Sequence, residues 1–192
     1  MKMIRIPIVL LAVLLSSGCV PIPSLNPLWD EAHLAVLPEL EGLWTDKDGD
    51  EVLEITAVEK SSYRLTYWSK DESSRYEVHA VRLGDRFFLD FYPDEEVLEE
   101  RLKGEAYMPL VPTHFFARIS LEGDLLKLAL LDDEALQKKV ESGEASVSLV
   151  KWEDGVLLTA ATPAIQQLMV LFADDKRLWD EPEVFVRVPV RP

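Results

Sequence analysis

The chain has 192 residues, of which 48% are apolar and 29% charged, and its formal net charge is −15. This is a globular composition, and the length suits one domain that buries most of its apolar surface. Such a charge excludes nucleic acid as a partner, because that binding rests on cationic contacts to phosphates; it also excludes polybasic attachment to anionic lipid.

The N-terminus carries Lys2 and Arg5 and no acid before Asp30. Ile8 to Leu15 is an unbroken apolar run, followed by Ser16, Ser17, Gly18 and the only cysteine, Cys19. A basic flank, a short apolar stretch and a small-residue site are the marks of a secretory signal peptide. The run is well short of the roughly 20 apolar residues a spanning helix needs, and Pro21, Pro23 and Pro27 follow it. One cysteine cannot make an internal disulfide. As a nucleophile it would need a structured base beside it.

The residues LSSGC (15–19) resemble the lipobox of bacterial lipoprotein precursors. Ser17 and Gly18 fit the small positions before the cysteine, while the leucine of that pattern stands one place early, at Leu15, with Ser16 in its position. The resemblance implies that residues 1–18 are removed as a signal peptide. It further implies that Cys19 is the lipid attachment site, carrying palmitate-type acyl chains that hold the protein to a membrane of the bacterial cell envelope. More than one chain makes such anchoring lasting. Val20, rather than an aspartate, after the cysteine implies the outer membrane. Residues 19–28 then read as the lipidated cysteine and a Pro-rich tether. Nine extended residues of this kind reach roughly 28 Å. Residues 29–192 read as a single globular β-rich domain.

Within that domain, LEGLWT (40–45), EVLEITAVE (51–59), SSYRLTYWS (61–69), RYEVHAVRL (75–83) and RFFLDFY (86–92) read as consecutive strands. Alternation places Leu53, Ile55 and Ala57 on one face, and likewise Tyr63, Leu65 and Tyr67; Tyr76, Val78 and Ala80; and Phe87, Leu89 and Phe91. Period-2 patterns with aromatic and β-branched residues mark half-buried strands. Residues 93–104 open with Pro93 and acids and close on Gly104, which suits a short helix. THFFARISL (113–121) and LLKLALL (125–131) form the next hairpin. Asp132 or Asp133 can cap a helix running to about Ser142, with Gly143 as its stop. Residues 145–152 and 156–160 read as a further hairpin. Thr162 is placed as an N-cap with Pro163 in the first turn. Ile165, Leu168, Met169 and Phe172 then recur at helical spacing, giving a C-terminal amphipathic helix. EVFVRV (183–188) is the last strand. The fold class is mainly β with short helices (α+β): an antiparallel meander that closes into a barrel or packs as a sandwich.

No set of residues with catalytic, cofactor-binding or metal-ligating spacing stands out. DKDGDE (46–51) has the acids of a calcium loop at Asp46, Asp48 and Asp50, but Gly49 stands at its fourth position, and Glu51 and Ala57 fall at the sixth and twelfth, where that loop needs a glycine and a glutamate; it reads as a hairpin turn. His33, His79 and His114 have no zinc spacing. The acid pairs Glu95–Glu96 and Asp132–Asp133 sit at helix starts, where the dipole accounts for them.

GLW (42–44) resembles the GxW motif on the first strand of lipocalins, as does the order of a late helix (162–174) followed by a short strand (183–188). That resemblance implies a closed barrel with an apolar interior. The arginine it implies, on a late strand before the helix, has no counterpart in GVLLTA (155–160). The expected function is therefore a membrane-anchored lipoprotein of the cell envelope, acting as a binding or structural module rather than an enzyme. The alternative is a lipocalin-like carrier of a hydrophobic small molecule. The expected partners are the membrane, through the N-terminal lipid, and a protein or hydrophobic ligand.

Overall fold

A computed structural model describes residues 21–59, 61–70, 72–102, 111–152 and 155–189. Its strands are β1 (Gly42–Thr45), β2 (Glu51–Glu59), β3 (Ser62–Ser69), β4 (Glu72–Leu83), β5 (Arg86–Pro93), β6 (Phe115–Glu122), β7 (Leu125–Leu130), β8 (Leu149–Trp152), β9 (Gly155–Leu158) and β10 (Glu183–Arg187). The helices are α1 (Glu95–Leu102), α2 (Asp133–Glu141) and α3 (Thr162–Leu171), with a 3-10 turn at Pro38–Leu40.

Strands β1 to β7 and β10 form a closed barrel in which each strand pairs antiparallel with its neighbours and β10 returns to β1. Barrel, not sandwich, is the architecture. β8 and β9 make a separate two-stranded sheet. Tight turns carry the meander: Gly84 and Gly123, with φ of 62° and 63°, sit where the left-handed conformation is needed.

Most of the period-2 sets of the sequence become the barrel interior; Ala57, expected beside Leu53 and Ile55, is exposed near the end of β2, where the register with β3 shifts. Trp44, Leu53, Ile55, Tyr63, Leu65, Val78, Ala80, Leu89, Phe91, Ala117, Ile119, Leu126 and Phe185 form one buried cluster. Eight strands enclose a space just wide enough for side chains to fill. Leu40, from the 3-10 turn, joins this cluster and stoppers one end.

A second core lies outside the barrel. Val81, Leu83, Phe88, Phe116, Ala129 and Leu131 project from the outer face of β4 to β7 and meet residues of α2, β9 and α3, including Leu136, Val156, Ile165 and Met169. Those strands are buried on both faces, which is why Phe88 and Phe116 are apolar between inward-facing neighbours.

The Pro-rich segment differs from the free spacer the sequence predicts. From Ile22 onward it is part of the domain. Ile22, Ser24 and Leu28 are buried. The Ser24 N–H donates to His114 O at 2.8 Å and the His114 N–H returns to Ser24 O at 2.9 Å, while the Leu25 N–H donates to Leu158 O. Prolines 21, 23 and 27 keep the chain extended so that it runs as an extra strand-like strap over the outer core.

Two helix starts show how local signals were used. Asp132 caps α2, accepting from the Ala135 N–H at 2.7 Å. Thr162 does not cap α3: the N-cap is Ala161, and the Thr162 hydroxyl instead donates to Pro27 O at 2.7 Å, tying the strap to the helix.

Candidate functional site

Two constellations organise the described molecule: the sealed end of the barrel, and a polar row beneath the N-terminal strap.

The first is built from the GLW motif. Trp44 points into the barrel, fully buried, and its Nε1–H donates to Leu40 O at 2.9 Å. Arg187, paired across the seam with Trp44, lays its guanidinium 4.1 Å from the centre of the indole. Its Nη1 and Nη2 groups donate to Glu41 O and Glu39 O at the 3-10 turn. Gly42 makes this possible in two ways. Its φ is +140°, and a Cβ there would stand 2.5 Å from Arg187 Nη1. The spacing G-x-W is thus explained: the glycine makes room for the cation that stacks on the tryptophan two residues on. Residues 155–160 hold no arginine, and the one that covers Trp44 comes from β10. Above it, the Leu37 N–H donates to the Tyr63 hydroxyl at 2.7 Å, fixing the plug to β3.

At the opposite end the interior is aromatic. Phe91 and Phe115 stack with centres 4.5 Å apart, and Tyr76 meets both edge-on. Tyr67, Tyr76, Phe115, Leu128 and Leu130 are only partly buried there.

The second constellation lies on the outer face of β4, β5 and β6. Asp90 is 1% exposed, and its two oxygens accept from the Leu28 N–H at 2.6 Å and bond His114 Nδ1 at 2.7 Å. Tyr92 lies against the His114 ring. His79 pairs with Asp90 in the β4–β5 register and stacks on Trp29 at 4.4 Å. An Asp–His pair is half of a nucleophilic triad, but Ser24 Oγ, on the segment bonded to His114, donates to Asn26 O rather than to the ring. With Gln166 donating to Leu28 O and Asn26 donating to Ala160 O, the group works as a set of stitches holding the strap.

The other sequence-marked residues separate. The 46–51 stretch is a hairpin turn, with Gly49 at φ 78° and the Glu51 N–H donating to Asp46 Oδ1. His33 bonds Asp30 at 2.7 Å. Asp94, ahead of Glu95 and Glu96, accepts from the Glu96 N–H at the start of α1. Among the described residues no three His, Cys, Asp or Glu side chains gather as a metal site. Cys19 lies outside the described residues. Asp90, Gln166 and Arg187 were not marked by the sequence; the signal for Asp90 was an acid in the middle of RFFLDFY, an apolar strand. No protein-family model, no curated protein and no solved structure matches the chain.

Burial holds the His79 ring below the ordinary imidazole value, against the opposing pull of Glu77 and Asp90. A depressed folded-state value means that the unfolded chain takes up the proton first, near pH 6.5. The contribution of the neutral ring is complete above that pH and is lost as pH falls through the folded value. Urea denaturation of wild type between pH 7.5 and about 5 is expected to show declining stability, and His79→Phe, which keeps a ring on Trp29, is expected to flatten that decline. An identical slope in the two proteins would show that His79 is not its source. The lowered carboxyls of Asp30 and Asp46 act in a lower window, below about pH 4.

Proposed function

We propose that the chain is a lipoprotein of the bacterial cell envelope, anchored to a membrane through Cys19, whose barrel serves as a binding or structural module. The observation that carries this is the position of the only cysteine, directly after the short apolar run and the small residues of LSSGC. The packing of the strap adds to it. Ile22 is already buried in the fold, so only three residue steps separate it from the attachment atom, about 10 Å at full extension. An anchored barrel would stand directly against the bilayer, not at the end of a 28 Å tether. Val20 after the cysteine supports the outer membrane as the destination.

In cells fed labelled palmitate, the wild-type chain is expected to carry label and to stay with membranes through a carbonate wash, while Cys19→Ala loses the label and moves to the soluble fraction. A Cys19→Ala chain that still pelleted after the wash would rule out anchoring through Cys19.

One observation favours a second reading, a lipocalin-like carrier of a hydrophobic small molecule: an eight-stranded meander whose GxW tryptophan is covered by an arginine from the last strand. The sealed end is filled by Trp44, Tyr63, Leu126 and Phe185, so a ligand would be small and would sit toward Tyr76 and Phe115. Native mass spectrometry of the chain extracted from membranes is expected, on this reading, to show a stoichiometric apolar adduct; the mass of the bare lipidated chain alone would end it.

A further inference from the structure

A groove of about 510 Å³ lies at the end of the barrel that carries the β4–β5 and β6–β7 turns, spans β5, β6 and β7, and is walled by the turn that follows α3. Its size is that of a small-molecule site. Its charge runs against the rest of the chain. Arg86, Arg118, Lys127 and Lys176 line it against only two carboxylates, Asp85 and Asp174, in a protein of net charge −15.

The four cations are not equivalent. Arg86 is neutralised, with Nε and Nη2 on Asp174 at 3.1 and 3.0 Å and Nη1 on Asp85 at 2.8 Å. Lys127 is held by both oxygens of Glu122, at 2.8 and 2.9 Å. Arg118 and Lys176 form no salt bridge among the described residues. Arg118 is instead fixed by neutral groups: its Nη1 donates to Ala173 O, and its guanidinium lies 5.0 Å from the Trp179 ring centre. One of its five N–H donors is thereby used. Burial presses its charge-bearing form down, with Asp174 only partly opposing this. A half-buried guanidinium, locked in place and without its own carboxylate, is half of an oxyanion site. The register keeps space open before it, since Arg118 pairs with the small Ala129 and the next outward position, Ser120, pairs with Lys127. Phe87 and Leu121 add apolar surface.

We propose that this groove binds a phosphate monoester with an apolar body, its phosphate held between Arg118 and Lys176. Arg118 and Lys176 are the two groove cations without a salt bridge among the described residues, and a phosphate monoester presents three terminal oxygens to share between them where a carboxylate presents two. The forked guanidinium takes two phosphate oxygens and Lys176, an exposed and mobile point charge, closes on the third. The site is independent of any lipid on Cys19.

The test is calorimetric titration of the full chain in non-ionic detergent with phenyl phosphate, with soluble dihexanoyl phosphatidic acid and with benzoate. Saturable binding of at least one phosphate ester, stronger than that of benzoate, is expected. Lys176→Ser, at an exposed position, is expected to weaken it about tenfold and Arg118→Met, which keeps a stem on Trp179, to weaken it at least as much. Lys47→Ser, in the distant β1–β2 turn, is expected to change nothing. Tighter binding of the phosphatidic acid assigns a lipid headgroup as the source of the phosphate; tighter binding of phenyl phosphate assigns a soluble ester. Absence of saturable binding by both esters in the folded wild type, or undiminished binding in Lys176→Ser, overturns the proposal.

Discussion

The barrel depends on a clasp at its seam. β1 and β10 share two paired positions, Trp44 with Arg187 and Thr45 with Val186, whereas β3 and β4 share eight. So short a ladder is the weak point of a closed sheet, and an open seam would leave two unpaired edges. Side chains supply what the ladder lacks. The Arg187 guanidinium stacks on Trp44, bonds two carbonyls of the 3-10 turn, and occupies the space left by the missing side chain of Gly42. One arginine therefore joins the first strand, the last strand and the plug. A stacked cation contributes about 0.5–2 kcal/mol, and each hydrogen bond from a charged donor about 1.5–3 kcal/mol.

Closure in turn makes the outer layer possible. Only a fixed curved wall presents Val81, Phe88 and Phe116 as a continuous surface for α3 and the β8–β9 hairpin. The N-terminal strap completes that layer with few apolar residues, and specific polar bonds position it: Asp90 to Leu28, Gln166 to Leu28 and Thr162 to Pro27. The same layer is drawn together further on by Lys139, whose Nζ reaches Asp175 at 2.7 Å and lies 4.5 Å from the Phe172 ring centre. The excursion between β7 and β10 thus forms the outer core and also one wall of the basic groove. With Cys19 lipidated, as proposed, a membrane anchor would connect directly to this layer.

Much of the barrel was legible in the sequence because alternation is a local property. Tyr63, Leu65 and Tyr67, or Phe87, Leu89 and Phe91, declare an inward face without reference to any partner. What stayed hidden depends on residues far apart in the chain. Arg187 meets carbonyls 146 and 148 residues away. Thr162 gave a correct signal for a helix start, but its hydroxyl was claimed by Pro27, 135 residues distant. The strap misled because proline favours an extended chain, and an extended chain is equally a spacer in water or a strand-like cover on a core. The choice is made by Ile22 and Leu28, two apolar residues with a surface to cover. The basic groove was hidden because its cations come from three strands and a turn, each unremarkable among the acids around it.

The clasp can be tested by amide hydrogen exchange on wild type, Arg187→Met and Gly42→Ala. A barrel closed by Arg187 predicts that both variants lose about 2–4 kcal/mol of stability. Protection should fall first and most in Gly42–Thr45 and Glu183–Arg187, ahead of β4 and β5. Unchanged protection of the two seam strands in Arg187→Met, or a loss spread evenly over all eight strands, would show that the ladder holds the seam without the arginine.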